Sequence, residues 1–508
     1  MSLSRIVEHH ADRLPGAPAL AFGDEVVSFG ELAERARRTA GALAGLGLDG
    51  GDVVAALLHN SLEFVEVMLG ADYLGAVFMP LNWRLAPPEL AYIVGHAGAS
   101  VLVSEPELQP LTRPVAGELK CTLVCAGAGT DHRWHGLDEL RDAAQPVQAP
   151  VPTQDHDLLR LMYTSGTTAR PKGVMITHGN LDAKCLAHIV ELGLARTDRG
   201  LIAGPLYHVG ALDLTFTTLL YLGCYQRILR KFTSTEVLDA IERDRLSTVW
   251  LAPAMVKLVL DDESLIGRDL TSMRVIIDGG EKMPLPLIDR LLASFPGAWY
   301  ADAYGLTETV SGDTFLNKGK ERDKLGSVGK PVFNVDVRVI RPDGTDAAAG
   351  EEGEIVIQGP KVSVGYWRDP EATARAHRDG WFHTGDVGVY DEDGYLYVVD
   401  RLKDMILTGG ENVASLEVER VLYEHPAVAE AAVVGRPHER WGEVPVAFVV
   451  VCGESDLEAD QLLTFCGERL AKFKTPKAVT FLAALPRNPS GKVLKRELRE
   501  LATKEVAA

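Results

Sequence analysis

No apolar run in the 508-residue sequence is long enough to cross a bilayer. The stretch around VEVMLGADYLGAVFMPL is interrupted by Asp72, and the other apolar runs fall short of the ~18 residues that a spanning helix needs. The first residues, MSLSRIVEHHADRL, carry histidine and aspartate where a secretion signal has its apolar centre. The sequence therefore predicts neither a transmembrane segment nor secretion.

Cysteine is scarce, and a surplus of basic residues is absent. The six cysteines are scattered, and the close pair Cys121 and Cys125 lacks the second pair or the histidines that a zinc site needs. We therefore expect reduced thiols and a cytoplasmic protein. Lys and Arg number 52 against 71 Asp and Glu, for a net charge of −19, which argues against a general nucleic-acid binder. The expected partners are small molecules, and the sequence leaves a homodimer open.

The composition and the length are those of a folded chain with more than one domain. Hydrophobic residues make up 46% and charged residues 24%, and the length exceeds what one core usually holds. Helical patterns alternate with short β-branched runs, as in FGELAERARRTAGALAGLGL followed by DVVAALLHN, and STEVLDAIERDRL followed by STVWLAPA. This alternation is typical of the α/β class with parallel sheets.

Changes in pattern along the chain predict its further organisation. Residues 127–157 are polar and contain proline, which favours a surface connection ahead of the strand LLRLMYTS. After about residue 326, short strands and turns such as GEIVIQG and GVYDEDGYLYVVD indicate a small β-rich subdomain. Beyond RLKDMI, two helical and two strand patterns indicate a small α+β C-terminal domain. The predicted domains are 1–400 and 404–508, joined by a hinge at 401–403.

A run of hydroxyl residues beside a lysine and two glycines, YTSGTTARPKG at 163–173, is the most informative segment. Small hydroxyls, backbone N–H groups and one amine form a cradle for phosphate oxygens. The run is not the G-x-x-x-x-G-K-[ST] loop, because Gly173 follows Lys172. A Ser/Thr/Gly turn without function is the alternative. The candidate phosphate ligands are Thr164, Ser165, Gly166, Thr167, Thr168 and Lys172.

This run closely resembles the phosphate loop of the adenylate-forming superfamily, which includes acyl-CoA synthetases, luciferases and the adenylation domains of nonribosomal peptide synthetases. Further motifs of that family follow in order: PLYHVGA (205–211), DGGEKMP (278–284), YGLTET (304–309), GWFHTGDVG (380–388), DRLKDMILTGGENV (400–413) and PRNPSGKVLK (486–495). Each motif is weak or moderate alone, and the ordered set is specific.

The resemblance implies a ligase that works in two half-reactions with ATP, Mg²⁺ and CoA. A carboxylate first attacks the α-phosphate of ATP to give an acyl-adenylate and pyrophosphate, and a thiol then displaces AMP. YGLTE lacks the proline of YGPTE, and no aspartate stands next to PLYH, which favours an AMP-forming acyl-CoA synthetase over an amino-acid adenylation domain. The alternatives are an acyl-AMP ligase that loads a carrier protein, a stand-alone adenylation domain, and a non-catalytic nucleotide-binding regulator.

The resemblance also implies the nucleotide site. Glu308 matches the Mg²⁺ ligand, and Thr307 would contact the triphosphate. Lys492 matches the catalytic lysine that bridges the substrate carboxylate and the α-phosphate. The remaining nucleotide residues are Gly280 and Glu281, Asp302 for the adenine amino group, Tyr304 for stacking on adenine, Asp386 for the ribose hydroxyls, and Arg401 for ribose or phosphate.

For the second half-reaction, the resemblance implies a C-terminal domain that rotates about Lys403. Gly409 and Gly410 would let the pantetheine arm of CoA pass close to the backbone, although an ordinary hairpin turn competes with this interpretation. The small or apolar residues of the implied acyl pocket favour a medium-chain, aryl or polycyclic acid. The pocket residues are His208, Val209, Ala211, Leu212, Asp278, Gly279 and Val310.

The sequence departs from the family pattern at three places. Ala169 replaces a usual glycine of the phosphate loop, and Glu281–Lys282 replaces the more frequent Ala-Pro. Ala414 and Ser415 stand where Tyr-Pro is common, next to the segment that the resemblance assigns to CoA docking. None of these departures removes a group on which the chemistry depends.

Overall fold

The computed structural model divides into two compact units. The first comprises Met1–Val337 and Ile357–Phe382, and the second comprises Arg338–Val356 and His383–Ala508. The structure describes residues 2–115, 117–127, 133–164, 171–279, 283, 285–408, 411–453, 457–488 and 491–504. The predicted hinge at 401–403 falls within the second unit. A hinge concerns movement between states, so the division at 401–403 stays a prediction.

The first unit contains a seven-stranded sheet that is parallel except at one edge. Its strands, in spatial order, are His135–Gly136, Thr122–Cys125, Ala99–Ser104, Val53–Leu57, Val77–Pro80, Leu158–Thr164 and Lys172–Thr177. The last two pair antiparallel, and the others pair parallel. Val53–Leu57 is buried at every position, as a continuous apolar run in a parallel sheet requires.

A second sheet of nine strands is parallel in its centre and antiparallel at both edges. Its spatial order is Lys330–Pro331, Thr314–Phe315, Trp299–Tyr304, Val275–Gly279, Thr248–Trp250, Arg199–Ile202, Tyr225–Ile228, Pro18–Phe22 and Glu25–Ser28. The prediction of an α/β fold with parallel sheets is confirmed. The antiparallel edges were not predicted from the sequence.

Two helices of the first unit illustrate how a polar cap starts a helix that buries one face. Ser28 and Glu31 form a capping box at the start of Phe29–Gly45, and Thr233 caps Ser234–Asp244. Both helices were predicted. The other α-helices are Leu3–Arg13, Leu62–Tyr73, Pro87–Ala97, Gln109–Thr112, Leu137–Ala143, His178–Glu191, Thr218–Leu222, Pro253–Asp261, Leu285–Ser294 and Pro370–Ala376.

The predicted surface connection at 127–157 is only partly irregular. It contains the short strand His135–Gly136 and the helix Leu137–Ala143. This helix forms because Leu137 is completely buried and Arg141 reaches the buried carboxylate of Glu66. The predicted connection therefore includes a short helix and strand that the sequence pattern did not indicate.

The β-rich part and the C-terminal part each contain a five-stranded sheet. The first consists of Asp336–Ile340, Gly353–Gln358, Trp381–Tyr390, His377–Arg378 and Leu396–Arg401, and the second consists of Glu411–Val413, Ile406–Thr408, Gly442–Val451, Val428–His438 and Val479–Phe481. The second sheet is accompanied by the helices Ser415–Tyr423, Ala459–Gly467 and Lys495–Lys504. It carries separate apolar clusters, one around Val433 and the other around Phe448. These elements confirm the predicted helical and strand patterns.

Two general features complete the fold. No helix in the described part of the chain is both long and apolar enough to cross a membrane. All six cysteines are free thiols; four are buried, Cys121 is partly buried, and Cys452 is exposed.

Candidate active site

Two carboxylates lie side by side at the carboxyl ends of neighbouring parallel strands. Asp278 and Asp302 are partners in register, and the hydroxyl of Tyr300 donates to Oδ2 of Asp278 at 3.0 Å. Burial, together with the two carboxylates, raises the pKa of Tyr300 well above its ordinary value, so this hydroxyl remains a donor. Tyr304 follows on the same face as Asp302. Ligands of open α/β sheets bind at this edge.

Gly279 is required at the end of its strand. Its φ is 153°, and a Cβ added there would lie 2.5 Å from the carbonyl oxygen of Ala303 on the neighbouring strand. The close approach of the two backbones fixes the exit of the segment 278–284. Gly280, Glu281 and Lys282 lie outside the described residues.

The turn that follows Tyr304 is strained and is held by a buried ion pair. Val310 has a φ of 55°, which a β-branched residue rarely adopts. The Nζ of Lys361 lies 2.5 Å from Oδ1 of Asp313, and Thr309 donates its hydroxyl to the same carboxylate. Both charged side chains are fully buried, and burial raises the pKa of Asp313 and lowers that of Lys361. Backbone strain of this kind clusters at functional sites.

Glu308 lies in this turn and is held by two groups of a later segment. The hydroxyl of Tyr366 donates to Oε1 of Glu308 at 2.9 Å, and the amide of Ser363 donates to the Glu308 carbonyl at 2.8 Å. Thr307 and Glu308 are only partly buried. Tyr366 was not among the predicted site residues, because an aromatic residue in a sequence is more often a core residue than a ligand.

The ends of the predicted phosphate loop are brought together beside this turn. Thr164 and Lys172 are partners in the antiparallel pair of strands, and the Nζ of Lys172 lies 5.0 Å from the ring centroid of Tyr366. Thr164, Lys172 and Glu308 are therefore assembled in one region, with Tyr366 between the last two. Ser165, Gly166, Thr167, Thr168 and Ala169 lie outside the described residues.

The segment PLYHVGA packs against a tryptophan that sequence reasoning missed. The ring of His208 stacks on Trp250, with centroids 5.8 Å apart and planes at 24°. A Cβ at Gly210 would lie 2.5 Å from the Trp250 indole, and one at Gly204 would lie 2.6 Å from it. The indole thus fills the space that both glycines leave. The two glycines that flank PLYH were visible in the sequence. Trp250, which fills the space they leave, lies on the strand Thr248–Trp250, which is distant in the sequence.

Asn60 fixes the same segment from the other large sheet. Its Oδ1 accepts the Leu206 amide at 2.8 Å, and its Nδ2 donates to the carbonyls of Gly204 and Leu229 at 2.8 and 3.0 Å. Asn60 is buried, so these bonds are shielded from water. The amide of one side chain therefore sets the path of the backbone that leads to His208.

The predicted pocket residues differ in exposure. His208 is partly exposed, and its Nδ1 accepts the Gly210 amide at 3.1 Å. Val209, Ala211 and Gly279 are buried. Leu212, Asp278 and Val310 have no accessible surface in this structure.

A π-helix, Gly210–Thr217, carries the pocket residues Ala211 and Leu212. Asp213 on this helix pairs with Arg160 of the strand that leads into the phosphate loop, at 2.6 Å between side chains that are almost fully buried. The Nζ of Lys184 donates to the Asp213 carbonyl at 2.8 Å. π-Helical turns occur frequently at functional sites. Here the buried charges attach the pocket helix to the phosphate-loop strand.

In the second unit, the two predicted ribose residues form an ion pair. Asp386 and Arg401 are partners on adjacent antiparallel strands, and Nε of Arg401 lies 3.0 Å from Oδ1 of Asp386. Asp386 is buried, whereas Arg401 is partly exposed. A carboxylate oriented by an arginine is suited to accept hydroxyl hydrogen bonds.

The predicted hinge and catalytic lysine also lie in the second unit. The carbonyl of Lys403 accepts a hydrogen bond from Arg499 at 3.1 Å, and burial lowers the pKa of Lys403. Lys492 is exposed, and its amide donates to Oδ1 of Asn488 at 2.9 Å. Gly409 and Gly410 lie outside the described residues.

The departure at Ala414–Ser415 has a structural role in this unit. Ser415 begins the helix Ser415–Tyr423, and its amide and hydroxyl both donate to Oδ2 of Asp400. Lys495 donates to the Ser415 hydroxyl and pairs with Glu419 at 2.8 Å. Ser415 therefore links the end of the strand before the hinge to the C-terminal helix.

Within the described residues, one group of side chains has the composition of a metal site. It consists of His59, Glu105 and Glu107. Arg230 lies 3.2 Å from Glu105 and 3.1 Å from Glu107, and His59 is hydrogen-bonded to Glu105. Because the guanidinium of Arg230 is already paired with both carboxylates, the group is an ion-pair network.

Two models of known protein families match the chain. A model of the AMP-binding enzyme family matches residues 7–367, and a model of the AMP-binding enzyme C-terminal domain matches residues 417–492. The chain therefore belongs to the AMP-binding enzymes, and within the adenylate-forming superfamily it is an acyl-CoA synthetase.

Among similar proteins are two ligases of aromatic acids. The chain is 42% identical to a feruloyl-CoA synthase of an Amycolatopsis species over 486 residues, 96% of each chain. It is 36% identical to the indoleacetate–CoA ligase of Aromatoleum aromaticum over 508 residues, 99% of each chain.

Among solved structures, the o-succinylbenzoate CoA synthetase of Bacillus subtilis is similar along nearly its whole length. In complex with its acyl-adenylate intermediate it superposes with a TM-score of 0.89 at 34% identity, covering 97% of both chains. The same enzyme in complex with ATP and magnesium ion gives a TM-score of 0.88 at 33% identity, covering 97% of this chain and 98% of that one.

Proposed function

We propose that this acyl-CoA synthetase activates an aryl carboxylic acid. The carboxylate of the acid displaces pyrophosphate from ATP to form the acyl-adenylate, and the thiol of CoA then displaces AMP to form the thioester. The observation that carries the choice of an aromatic acid is the stacked pair of His208 and Trp250. Flat aromatic walls favour a flat aromatic ligand over a flexible chain. The acids named for the three similar enzymes, ferulate, indoleacetate and o-succinylbenzoate, are all aromatic.

The residues of the first unit fit a metal–nucleotide complex. Glu308 offers a partly exposed carboxylate with one oxygen already oriented by the neutral donor Tyr366. Mg²⁺ is usually held by one or two carboxylates together with substrate phosphates, and when bound it neutralises phosphate charge. Glu308 would hold it, while Thr164, Lys172 and Thr307 would contact the phosphates. Asp302 and Tyr304 would bind the adenine.

The second unit would supply the remaining groups. Asp386, oriented by Arg401, would accept the ribose hydroxyls, and Lys492 would bridge the reacting carboxylate and the α-phosphate. Rotation about Lys403 would then replace Lys492 by the segment of Gly409 and Gly410, beside which the CoA thiol enters. Six free thiols support a cytoplasmic location, where cysteines stay reduced.

The test is to incubate the purified protein with ATP, Mg²⁺, CoA and single acids. The panel contains ferulate, indoleacetate, 2-succinylbenzoate, a medium-chain fatty acid and a polycyclic acid, and mass spectrometry follows adenylate and thioester separately. We expect both products from at least one aromatic acid, with a higher kcat/KM than for the fatty acid. Adenylate without thioester would support the carrier-protein alternative, and a preference for the fatty acid would refute the aromatic assignment.

A further inference from the structure

Residues 361–367, here called the Tyr366 segment, run beside the strand that leaves the phosphate loop. The amide of Met175 donates to the Gly365 carbonyl at 2.9 Å, and the amide of Trp367 donates to the Gly173 carbonyl at 2.7 Å. Val174 and Tyr366 form an antiparallel bridge. The segment is therefore fixed to strand Lys172–Thr177 by backbone hydrogen bonds.

The Tyr366 segment also binds the turn that carries Glu308. Ser363 donates its amide to the Glu308 carbonyl, and Lys361, the first residue of the segment, forms the buried ion pair with Asp313. The hydroxyl of Tyr366 reaches the Glu308 carboxylate itself. One short piece of chain thus joins the phosphate-loop strand to the strained turn.

The conformation of Tyr366 is determined from several sides. Its amide donates to Oγ1 of Thr373 at 2.9 Å, and its ring is mostly buried. The preceding Gly365 has a φ of 129°, and a Cβ there would lie 2.4 Å from the Thr373 side chain. A tyrosine hydroxyl, whose ordinary pKa is about 10, is a hydrogen-bond donor at neutral pH. A donor held in this way can orient its acceptor.

We propose that Tyr366 is a positioning residue for the metal-binding carboxylate of Glu308 and for Lys172. Its hydroxyl donates to Oε1 of Glu308 at 2.9 Å, and its ring face lies beneath the ammonium of Lys172 at 5.0 Å. An ionised carboxylate has about four lone-pair positions, and the hydrogen bond from Tyr366 uses one of them. The proposal rests on the proposed function, in which Glu308 holds Mg²⁺.

The two contacts have separable consequences. Removing the hydroxyl takes away one hydrogen bond that orients the Glu308 carboxylate, and the loss of such an outer partner typically weakens metal affinity by roughly 10-fold or more. Removing the ring as well takes away the cation–π contact that holds Lys172 near the phosphates. Tyr366→Phe therefore affects the metal, and Tyr366→Leu affects both the metal and ATP.

The experiment measures Mg²⁺ binding directly. Calorimetry at saturating non-hydrolysable ATP analogue gives the Mg²⁺ affinity of the wild type and of Tyr366→Phe, without any acid or turnover. We expect an affinity about 10-fold lower for Tyr366→Phe. Tyr225→Phe, on the strand Tyr225–Ile228, is the matched control. It also removes a hydrogen bond from a tyrosine hydroxyl to a carboxylate, because Tyr225 donates to Asp244 at 3.1 Å. The control should bind Mg²⁺ like the wild type.

A double-mutant cycle tests whether Tyr366 acts through Glu308. In a Glu308→Ala background, Tyr366→Phe should have no further effect on Mg²⁺ affinity, because the group that it orients is gone. An equal further loss in that background would mean that the hydroxyl acts independently, and would overturn the proposal. The Mg²⁺ affinities of all variants are compared at one temperature. Circular dichroism and thermal unfolding first show that each variant is folded.

Failure of the inference and failure of the proposed function give different results. If Tyr366→Phe binds Mg²⁺ like the wild type while the wild type forms adenylate, the inference is wrong and the function stands. If the wild type forms no adenylate with any acid, the proposed function is wrong, and the calorimetry still decides the role of Tyr366. If Glu308→Ala leaves Mg²⁺ affinity unchanged, Glu308 is not the metal ligand, and Tyr366 is not a positioning residue for that ligand.

Discussion

Lys492 combines a fixed backbone with an exposed side chain. Its amide and carbonyl are both bound to Asn488, whereas its amine is in contact with solvent on the C-terminal unit. This arrangement presents an amine from a defined position, as the proposed catalytic role requires.

Lys492→Ala should reduce acyl-adenylate formation by ~10²-fold or more, because a preorganised charge at the transferring phosphoryl group is lost. Thioester formation from preformed acyl-adenylate should persist. ATP–pyrophosphate exchange and single-turnover thioester assays separate the two steps. Lys472→Ala, at an exposed lysine of the same unit, is the control for adenylation. Near wild-type exchange by Lys492→Ala would exclude the assignment.

Gly210 is a residue of the proposed acyl site that tolerates little change. A methyl group there meets Cζ2 of Trp250 at 2.5 Å, so the indole or the π-helix must shift. Overpacking of this kind typically costs roughly 1–3 kcal/mol.

Gly210→Ala should therefore lower kcat/KM for the preferred aromatic acid by about tenfold, since ~1.4 kcal/mol corresponds to that factor. The KM for ATP should change much less. Gly95→Ala is the control, because a Cβ there meets no atom within 4 Å. Steady-state kinetics with varied acid measure the effect, and an unchanged kcat/KM for the acid would place Trp250 away from the substrate.

At the scale of elements, the C-terminal helix Lys495–Lys504 is attached to its unit by charge as well as by apolar packing. Arg499 bonds to the carboxylate of Asp404 and to the carbonyl of Lys403, while Leu498 is fully buried. Burial opposes ionisation of Asp404, but the hydrogen bond from Arg499 and the charges of Lys495, Lys403 and Arg499 together outweigh it and lower the pKa of Asp404 below its ordinary value.

Arg499→Leu should destabilise the C-terminal unit by about 1–3 kcal/mol at neutral pH, because a buried carboxylate loses its charged donor. The pKa of Asp404 is lower in the folded state, so this stabilisation is present above pH 3.8 and is lost as the pH falls through the lowered folded pKa. Urea unfolding at pH 7 and at decreasing pH should show the difference from wild type shrinking in acid.

The control for that helix is Arg496→Leu. Arg496 pairs with Glu500 one turn away on the exposed surface, and exposed pairs contribute little. Equal destabilisation by both changes would mean that Arg499 acts through helix propensity and not through Asp404.

Some of these elements could be predicted from the sequence, and others could not. Helix Phe29–Gly45 was predictable because its capping box and apolar period are local. The pairing of Leu158–Thr164 with Val77–Pro80 was not, because it depends on which distant strand lies beside it. Tyr366 and Glu308 are 58 residues apart, so their hydrogen bond required the fold. The motif order predicted the family, whereas Trp250 and Asn60 lie outside the motifs and were missed.

At the scale of the whole molecule, the proposed cycle depends on movement at Lys403. The amides of Asp404 and Met405 donate to the Arg401 carbonyl, and no backbone hydrogen bond from the Lys403 amide is found among the described residues. Proline can therefore replace Lys403 without losing such a bond, while its ring fixes φ near about −65°.

Lys403→Pro should retain ATP–pyrophosphate exchange and lose most thioester formation from preformed adenylate, because the second domain orientation becomes inaccessible. Lys403→Ala, with a free φ, should retain both half-reactions. Equal loss of both steps in the proline variant would indicate general damage. Retention of both would mean that the domains do not turn at this residue.

The distribution of the thiols provides a way to observe such movement without adding a cysteine. Cys452 is the exposed thiol and lies on the C-terminal unit, whereas Cys125, Cys185, Cys224 and Cys466 are buried. Burial raises the pKa of Cys224 to about 12 and that of Cys121 and Cys466 to about 11, which suppresses their reactive thiolates at neutral pH. A maleimide fluorophore therefore has one favoured attachment point in the native protein. Energy transfer from that dye to a fluorescent ATP analogue would follow the C-terminal unit through the catalytic cycle.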